Sequence, residues 1–467
     1  MLILGMMDPG LAWGVILVLG AIWVGLGIYW GKKADSSEGF MLAGRKIGLA
    51  LGSATVMATW VTSNTVMLAP KFAYTMGIWG VLAYSTASFG LFLFAPMALR
   101  IRKILPEGVT AGDFFRMKYG TAGWWLFMVI TLVYSVAWLV TMAIAGGELL
   151  NALTGISYYY GMSFILLVCV LYTLFGGLYA VVGTDFVQSL IILAGVVLIG
   201  VLVIGQVDLA ETHDHLKREQ PMLLKGFMPV ALLSFFNIML FSLGEVFHNN
   251  VWWSRTFAMR EGVAPKAFLL SGLCWFPIPV AAGFIALSSG ALGINVPVAN
   301  QVGPLVAEHV LAQACLGVMA GVLILIVLFC SIASSIDSLL AATSDLVLKD
   351  GWQTATGGPL PESSFRRWAT VVIVGFGFLA WALALPRWPL EQVLYASGPL
   401  VSALIWPVIA GVFWKEVNAT VILIGVILSA VLGLAAYFLV AWYVACVVAA
   451  GLSMVFTLVS RLFPKPD

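Results

Sequence analysis

"GLALGSATVMATWVTSNTVMLAP", residues 48–70, is an apolar run long enough to cross a bilayer. Yet it places Thr59, Thr62, Ser63, Asn64 and Thr65 near its middle and Pro70 at its end. In hydrocarbon every backbone amide must be paired, so a polar segment of this kind faces protein or a wet cavity. A second stretch, "MPVALLSFFNIMLFSLGEVFHNN" at 228–250, carries Ser234, Asn237, Ser242, Gly244 and Glu245 scattered along it. Each stretch opens a block of five apolar spans. Corresponding interrupted helices in two halves are the sequence sign of a transporter built from an inverted repeat, with its binding site at the breaks. Helix-packing faces rich in small residues are the plainer alternative; the first stretch favours the cavity, and for the second both readings stay open.

Outward from these stretches, the 467-residue chain is 62% apolar, 13% aromatic and 9% charged, with a mean hydropathy of +1.04. That composition excludes a water-soluble enzyme and makes lipid the relevant solvent. A formal charge of +2 is too balanced to suggest a nucleic-acid partner. Thirteen segments reach spanning length: 10–30, 48–69, 79–100, 122–150, 158–176, 179–206, 228–248, 266–292, 310–345, 368–386, 391–414, 418–437 and 441–461. Residues 419–458 carry no charge, and only length divides them into two helices near Val440. The first span lacks the marks of a removed signal peptide. The chain therefore reads as an all-α integral membrane protein, one transmembrane domain over 1–467 with repeat one at 48–206, repeat two at 228–414 and peripheral helices at 10–30, 418–437 and 441–461.

Lys and Arg collect on the cytoplasmic side of membrane proteins. One set of loops holds 18 of the 23 basic residues and the other 5, which puts the amino terminus outside and the carboxyl terminus inside a plasma (inner) membrane. Cys169, Cys274, Cys315, Cys330 and Cys446 all fall in apolar runs and read as packing residues. The outer segment Asp208–Pro221 mixes acids and bases; His213 and His215 flank Asp214 there without a third ligand, so solvated surface is the plainer reading.

Ionisable groups inside spans cost about 2.5–3.5 kcal/mol each on insertion scales, so each needs a reason. Glu148 and Glu245 lie near the ends of their segments, where snorkelling or capping explains them. Asp185, Asp337 and Asp345 are deeper. The ninth span offers Ser331, Ser334, Ser335, Asp337, Ser338, Thr343 and Ser344 in one stretch. A single serine can bond back to its own helix, but seven polar residues in fourteen are hard to explain that way. Hydroxyls, a carboxylate and loosened carbonyls are hard oxygen ligands suited to a small cation such as sodium. No Lys or Arg is expected in the core of any span, so a neutral polar solute fits better than an anion. Trp60 at the first break, with Tyr84, Ser85 and Ser88 on the third span, offers flat walls and hydrogen-bond partners.

Five stretches now carry a resemblance: "TSNTVMLAPKFAYTMGIWG" (62–80), "ILPEGVTAGDFFRMKYG" (104–120), "FGGLYAVVGTDFVQ" (175–188), "FHNNVWWSRTFAMR" (247–260) and "SSIDSLLAATSDL" (334–346). The sequence resembles the sodium:solute symporter family over most of its length. The resemblance implies a five-plus-five inverted repeat, LeuT-like, with about 13 transmembrane helices and a broken first helix in each repeat. It implies a sodium site made by the carbonyls of Ala58, Val61 and Ser331 with the hydroxyls of Ser334 and Ser335. Some members hold a second cation at positions matching Asp185, Ser334 and Ser338; here Asp337 stands where those members have a serine ligand, which puts that ion in doubt. The solute positions implied beside the first break are Asn64, Thr65, Tyr84 and Ser88, with Asn237 on the seventh span, alongside Trp60. "KFAYTMGIWGVLAYSTASFG" and "VWWSRTFAMREGVAPKAFLLSGLCWFPIP" look most like the urea-permease branch.

The expected activity is thus sodium-coupled import of a small polar solute, urea being the branch's solute, by alternating access. Sodium is the coupling ion, and no cofactor is expected. The alternatives are a proton-coupled symporter of a short carboxylate or amino acid, a membrane sensor, and a channel. A sensor should carry a cytoplasmic output module, and the chain stops at Asp467 about six residues past its last span. No nucleophile with a base, metal cluster or phosphate loop supports catalysis.

Overall fold

The structure is a computed structural model and describes residues 7–34, 36–313 and 317–463. Cys315 and Lys465, which entered the cysteine and charge readings, lie outside the described residues. The helices of the membrane region are α1 (Pro9–Gly31), α2 (Leu49–Trp60), α3 (Ser63–Met76), α4 (Ile78–Ile104), α5 (Ala111–Thr154), α6 (Tyr158–Gln206) and α7 (Pro229–His248). They continue with α8 (Asn250–Ala258), α9 (Val263–Leu287), α10 (Val318–Asp345), α11 (Glu362–Ala384), α12 (Leu390–Phe413), α13 (Ala419–Leu439) and α14 (Trp442–Val459).

Among the described residues, eleven helices are each long and apolar enough to span a membrane. The sequence count of thirteen differs for two physical reasons. Helix α6 has 49 residues, far more than one crossing needs, and turns at Gly177 (φ 51°, ψ −136°), so it serves as two spans. A Cβ at Gly177 would lie 2.4 Å from the Phe40 ring, so the turn needs glycine for both its conformation and its space. The other missing span is broken into α2 and α3. Helix α13 ends at Leu439 and α14 starts at Trp442, dividing the uncharged run where length alone had divided it.

Capping chemistry explains the first break. Val61 (φ −83°, ψ 84°) leaves the helix, and Thr62 (φ −92°, ψ 169°) is extended. The Thr62 hydroxyl accepts from the Thr65 amide at 3.3 Å while the Thr65 hydroxyl accepts from the Thr62 amide at 3.3 Å, a capping box that starts α3 afresh. The second break is at Asn249 (φ −73°, ψ 130°), whose side chain accepts from the Val251 amide at 2.9 Å and starts α8. The segment after Asp208, expected as a solvated loop, instead folds into a short helix, Leu209–Glu219, because Asp208 caps it by accepting from two amides.

Helix α10 is the axis of the molecule. Every residue from 327 to 346 is buried, against α6, α5, α2 and α8. Peripheral α1, α11, α13 and α14 turn residues such as Leu17, Phe378, Val431 and Val455 outward, a lipid-facing surface.

Candidate functional site

Ending α2 in mid-molecule orphans its last carbonyls, and the structure shows what meets them. The Ser334 hydroxyl donates to the Ala58 carbonyl at 2.8 Å, and the Ser335 hydroxyl donates to the Thr59 carbonyl at 3.2 Å. Both also reach the Ser331 carbonyl, at 3.2 and 3.1 Å. The Trp60 carbonyl accepts from the Trp275 indole at 2.7 Å and from the Thr65 hydroxyl at 3.3 Å. Ala58, Ser331, Ser334 and Ser335 are thereby gathered into one buried oxygen cluster, with Thr59 added to them; Val61 lies in the break itself. The cluster sits at the C-terminal end of α2, where the helix dipole is negative and favours a cation.

One residue further on, Trp60 enters a cavity. This space is walled by α3, α4, α5, α7, α9 and α12, with about 440 Å³ of atom-free volume when its open side is included. Its lining includes Trp60, Asn64, Thr65, Tyr84, Tyr134, Trp138, Ser242, Glu245, Trp275 and Tyr395, and no lining residue is more than 8% exposed. Trp60 meets Trp252 edge-on at 5.2 Å and Trp275 at 6.1 Å, giving the flat apolar wall.

The solute positions drawn from the sequence divide. Trp60, Asn64, Thr65 and Tyr84 line the cavity, although the Thr65 hydroxyl is engaged in the break and the Tyr84 hydroxyl meets the Thr62 and Thr65 side chains. Ser88 does not line it: its hydroxyl folds back to the Ser85 carbonyl at 2.8 Å. Nor does Asn237, whose side-chain oxygen accepts from the Cys446 amide at 2.8 Å and ties α7 to α14. Glu148, expected near a helix end, pairs there with Arg387. Glu245 departs from the snorkelling reading, because α7 runs on past it to the Asn249 break and leaves it 0% exposed on the cavity wall.

Arg255 overturns the expectation that no basic residue enters a span. The seventh apolar run stops at the Asn249 break, so the residues after it read as an inner loop. The chain instead continues as α8, every residue of which is buried. Arg255 is fully buried, with Nε donating to the Thr55 hydroxyl at 3.0 Å and Nη1 to the Val251 carbonyl at 3.1 Å. Its Nη2 reaches the Thr59 hydroxyl at 2.8 Å, the Ser338 hydroxyl at 2.6 Å and Asp185 Oδ2 at 3.3 Å. The guanidinium thus ties α2, α6, α8 and α10 together and occupies the polar face of Asp185 and Ser338. The pair of tryptophans before Arg255 was the available signal, since "VWWSR" has no reason to be a solvated loop.

Asp337 is not bonded to the guanidinium but lies within its electrostatic reach and hydrogen-bonds Ser338, which the guanidinium also contacts. Its Oδ2 accepts from the Tyr172 hydroxyl at 2.8 Å, and its Oδ1 has no partner among the described residues. Asp345, also buried, has neither oxygen partnered there.

The description "Sodium:solute symporter family" matches residues 40–429. Among curated proteins, the chain is similar to the urea-proton symporter DUR3 of Oryza sativa, 25% identical over 87% of this chain and 61% of that protein. It is similar to the urea active transporter of Saccharomyces cerevisiae, 22% identical over 91% and 62%. The sodium/proline symporter 2 of Staphylococcus saprophyticus is 22% identical over 89% and 84%. The chain therefore spans about three fifths of the length of the urea transporters it matches. Among solved structures, a Na+-coupled sialic acid symporter in a substrate-bound outward-open state matches with a TM-score of 0.78 at 19% identity, over 98% of each chain. MHP1, a nucleobase-cation-symport-1 transporter, matches at 0.57 and 15% identity over 93% and 97%. These likenesses identify the LeuT-like fold.

Proposed function

The chain belongs to the sodium:solute symporter family, a family of multi-pass secondary active transporters, and on that premise we propose that it imports a small polar solute, urea in the first instance, coupled to one sodium ion. The observation that carries this reading is the adjacency at the end of α2. Ala58 and Thr59 offer carbonyls to Ser334 and Ser335, and Trp60, the next residue, walls the solute cavity.

A sodium ion would be held by the carbonyls of Ala58, Val61 and Ser331 and by the Ser334 and Ser335 hydroxyls. The two hydroxyls, now donating to carbonyls, would turn lone pairs to the ion. Binding there orders the end of α2 and with it Trp60, so the ion favours the state in which the solute site is complete. A second cation at Asp185 and Ser338 is disfavoured, because Arg255 already bonds to both. The solute contacts are Trp60, Asn64 and Tyr84. The amino terminus is placed outside and the carboxyl terminus inside, an orientation that the loop charges support even with Arg255 removed from the inner set.

Proton coupling is the second reading. It is favoured by the unpartnered Oδ1 of Asp337 beside the Tyr172 contact, and by the rice relative being a urea-proton symporter. Labelled-urea counterflow in proteoliposomes, with and without sodium on both sides, tests the proposal. Counterflow that needs sodium supports it. Sodium-independent counterflow moves the coupling to protons, and downhill flux without counterflow contradicts a carrier.

A further inference from the structure

Buried polar atoms are nearly always hydrogen-bonded, so each exception calls for an explanation. Three exceptions belong to residues on the wall of the cavity beside the first break: Glu245 Oε2, Asn64 Oδ1 and Trp60 Nε1. All three side chains are less than a tenth exposed. Glu245 is not otherwise idle, since its Oε1 accepts from the Trp252 indole at 3.0 Å. That contact fixes the carboxyl group and leaves Oε2 without a partner on the cavity wall.

We propose that Glu245 is a solute-reading residue, whose Oε2 accepts N–H bonds from the transported molecule. Asn64 Oδ1 supplies a second acceptor, and Trp60 Nε1 supplies a donor. Two acceptors and one donor are the complement of a molecule with several N–H groups around one carbonyl. The solute class is therefore the small uncharged amides and ureas. A carboxylate brings no donor to either acceptor, so acids are rejected by hydrogen bonding. The same free atoms account for a cavity with only a few polar groups on an otherwise aromatic wall. This inference rests on reading the cavity as the solute site.

The discriminating substitution is Glu245→Gln. It keeps an oxygen for the Trp252 indole, so a merely structural role survives, and it turns the cavity-facing acceptor into an N–H donor. Binding is read first, as the change in tryptophan fluorescence of the purified protein on adding millimolar urea, acetamide, acetate or proline in sodium buffer. Wild type should respond to urea and acetamide and not to acetate or proline; Glu245→Gln should need about tenfold more urea, the loss of one hydrogen bond. Its thermal midpoint and its stabilisation by sodium should match wild type, while Glu245→Asp, which keeps the acceptor, should recover part of the affinity. Equal urea affinity in wild type and Glu245→Gln, a wild-type response to acetate or proline, or no response to either amide overturns the inference. Selective amide binding without gradient-driven uptake would leave the inference standing and contradict the symporter reading instead.

Discussion

Removing the Arg255 guanidinium should be among the most damaging single changes available in this protein. Arg255→Met leaves the Asp185 carboxylate fully buried with the Thr55 hydroxyl as its remaining donor, while Thr59 and Ser338 keep each other at 2.9 Å. Stranding one partner of a buried ion pair costs about 3–5 kcal/mol. Asp185→Asn should also be costly, because it removes the one carboxylate bonded to the guanidinium and leaves only the longer-range pull of Asp337 and Asp345. The double substitution Arg255→Met with Asp185→Asn removes both charges of the pair, and the new amide can still accept from Thr55. Its cost should fall short of the sum of the singles by about 2–3 kcal/mol, the range of coupling for residues in one network. The assay is reversible unfolding in mixed micelles, followed by tryptophan fluorescence, for the four proteins of the cycle. Single substitutions within about 1 kcal/mol of wild type that add in the double would refute the claim that this pair binds four helices together.

Two further outcomes follow from the geometry. Ser334→Ala and Ser335→Ala should each raise the sodium concentration for half-maximal urea uptake about tenfold, one lost ligand being worth roughly 1.5 kcal/mol, with the urea concentration dependence changing less; unaltered sodium dependence in either variant would show that the ion sits elsewhere. Gly177→Ala should lower folding yield and unfold about 1–3 kcal/mol more easily in the same micelle titration, since it combines a positive φ with a Cβ 2.4 Å from Phe40.

The spans and the first break were legible because length, hydropathy and interrupted polarity report on the membrane directly, whereas the pairing of Ser334 with α2 came only from the family resemblance. The direction of individual side chains was not. Helices α4 and α7 are apolar around most of their circumference, so sequence periodicity could not tell that Ser88 turns back on its own helix or that Asn237 faces α14. Arg255 was hidden by the break itself: an apolar run that stops at Asn249 makes any charge after it look like loop, although α8 carries that charge into the centre of the molecule. Glu245 was misplaced for the same reason, because four residues from an apparent helix end can still be deep inside when the chain continues beyond a break.

Labelled-urea uptake into proteoliposomes under an inward sodium gradient, an inward proton gradient, or neither tests the coupling most directly. Accumulation of urea with the sodium gradient alone, needing about tenfold more sodium in Ser335→Ala, is the predicted result. Accumulation driven by protons and indifferent to sodium would contradict the ion site at the end of α2.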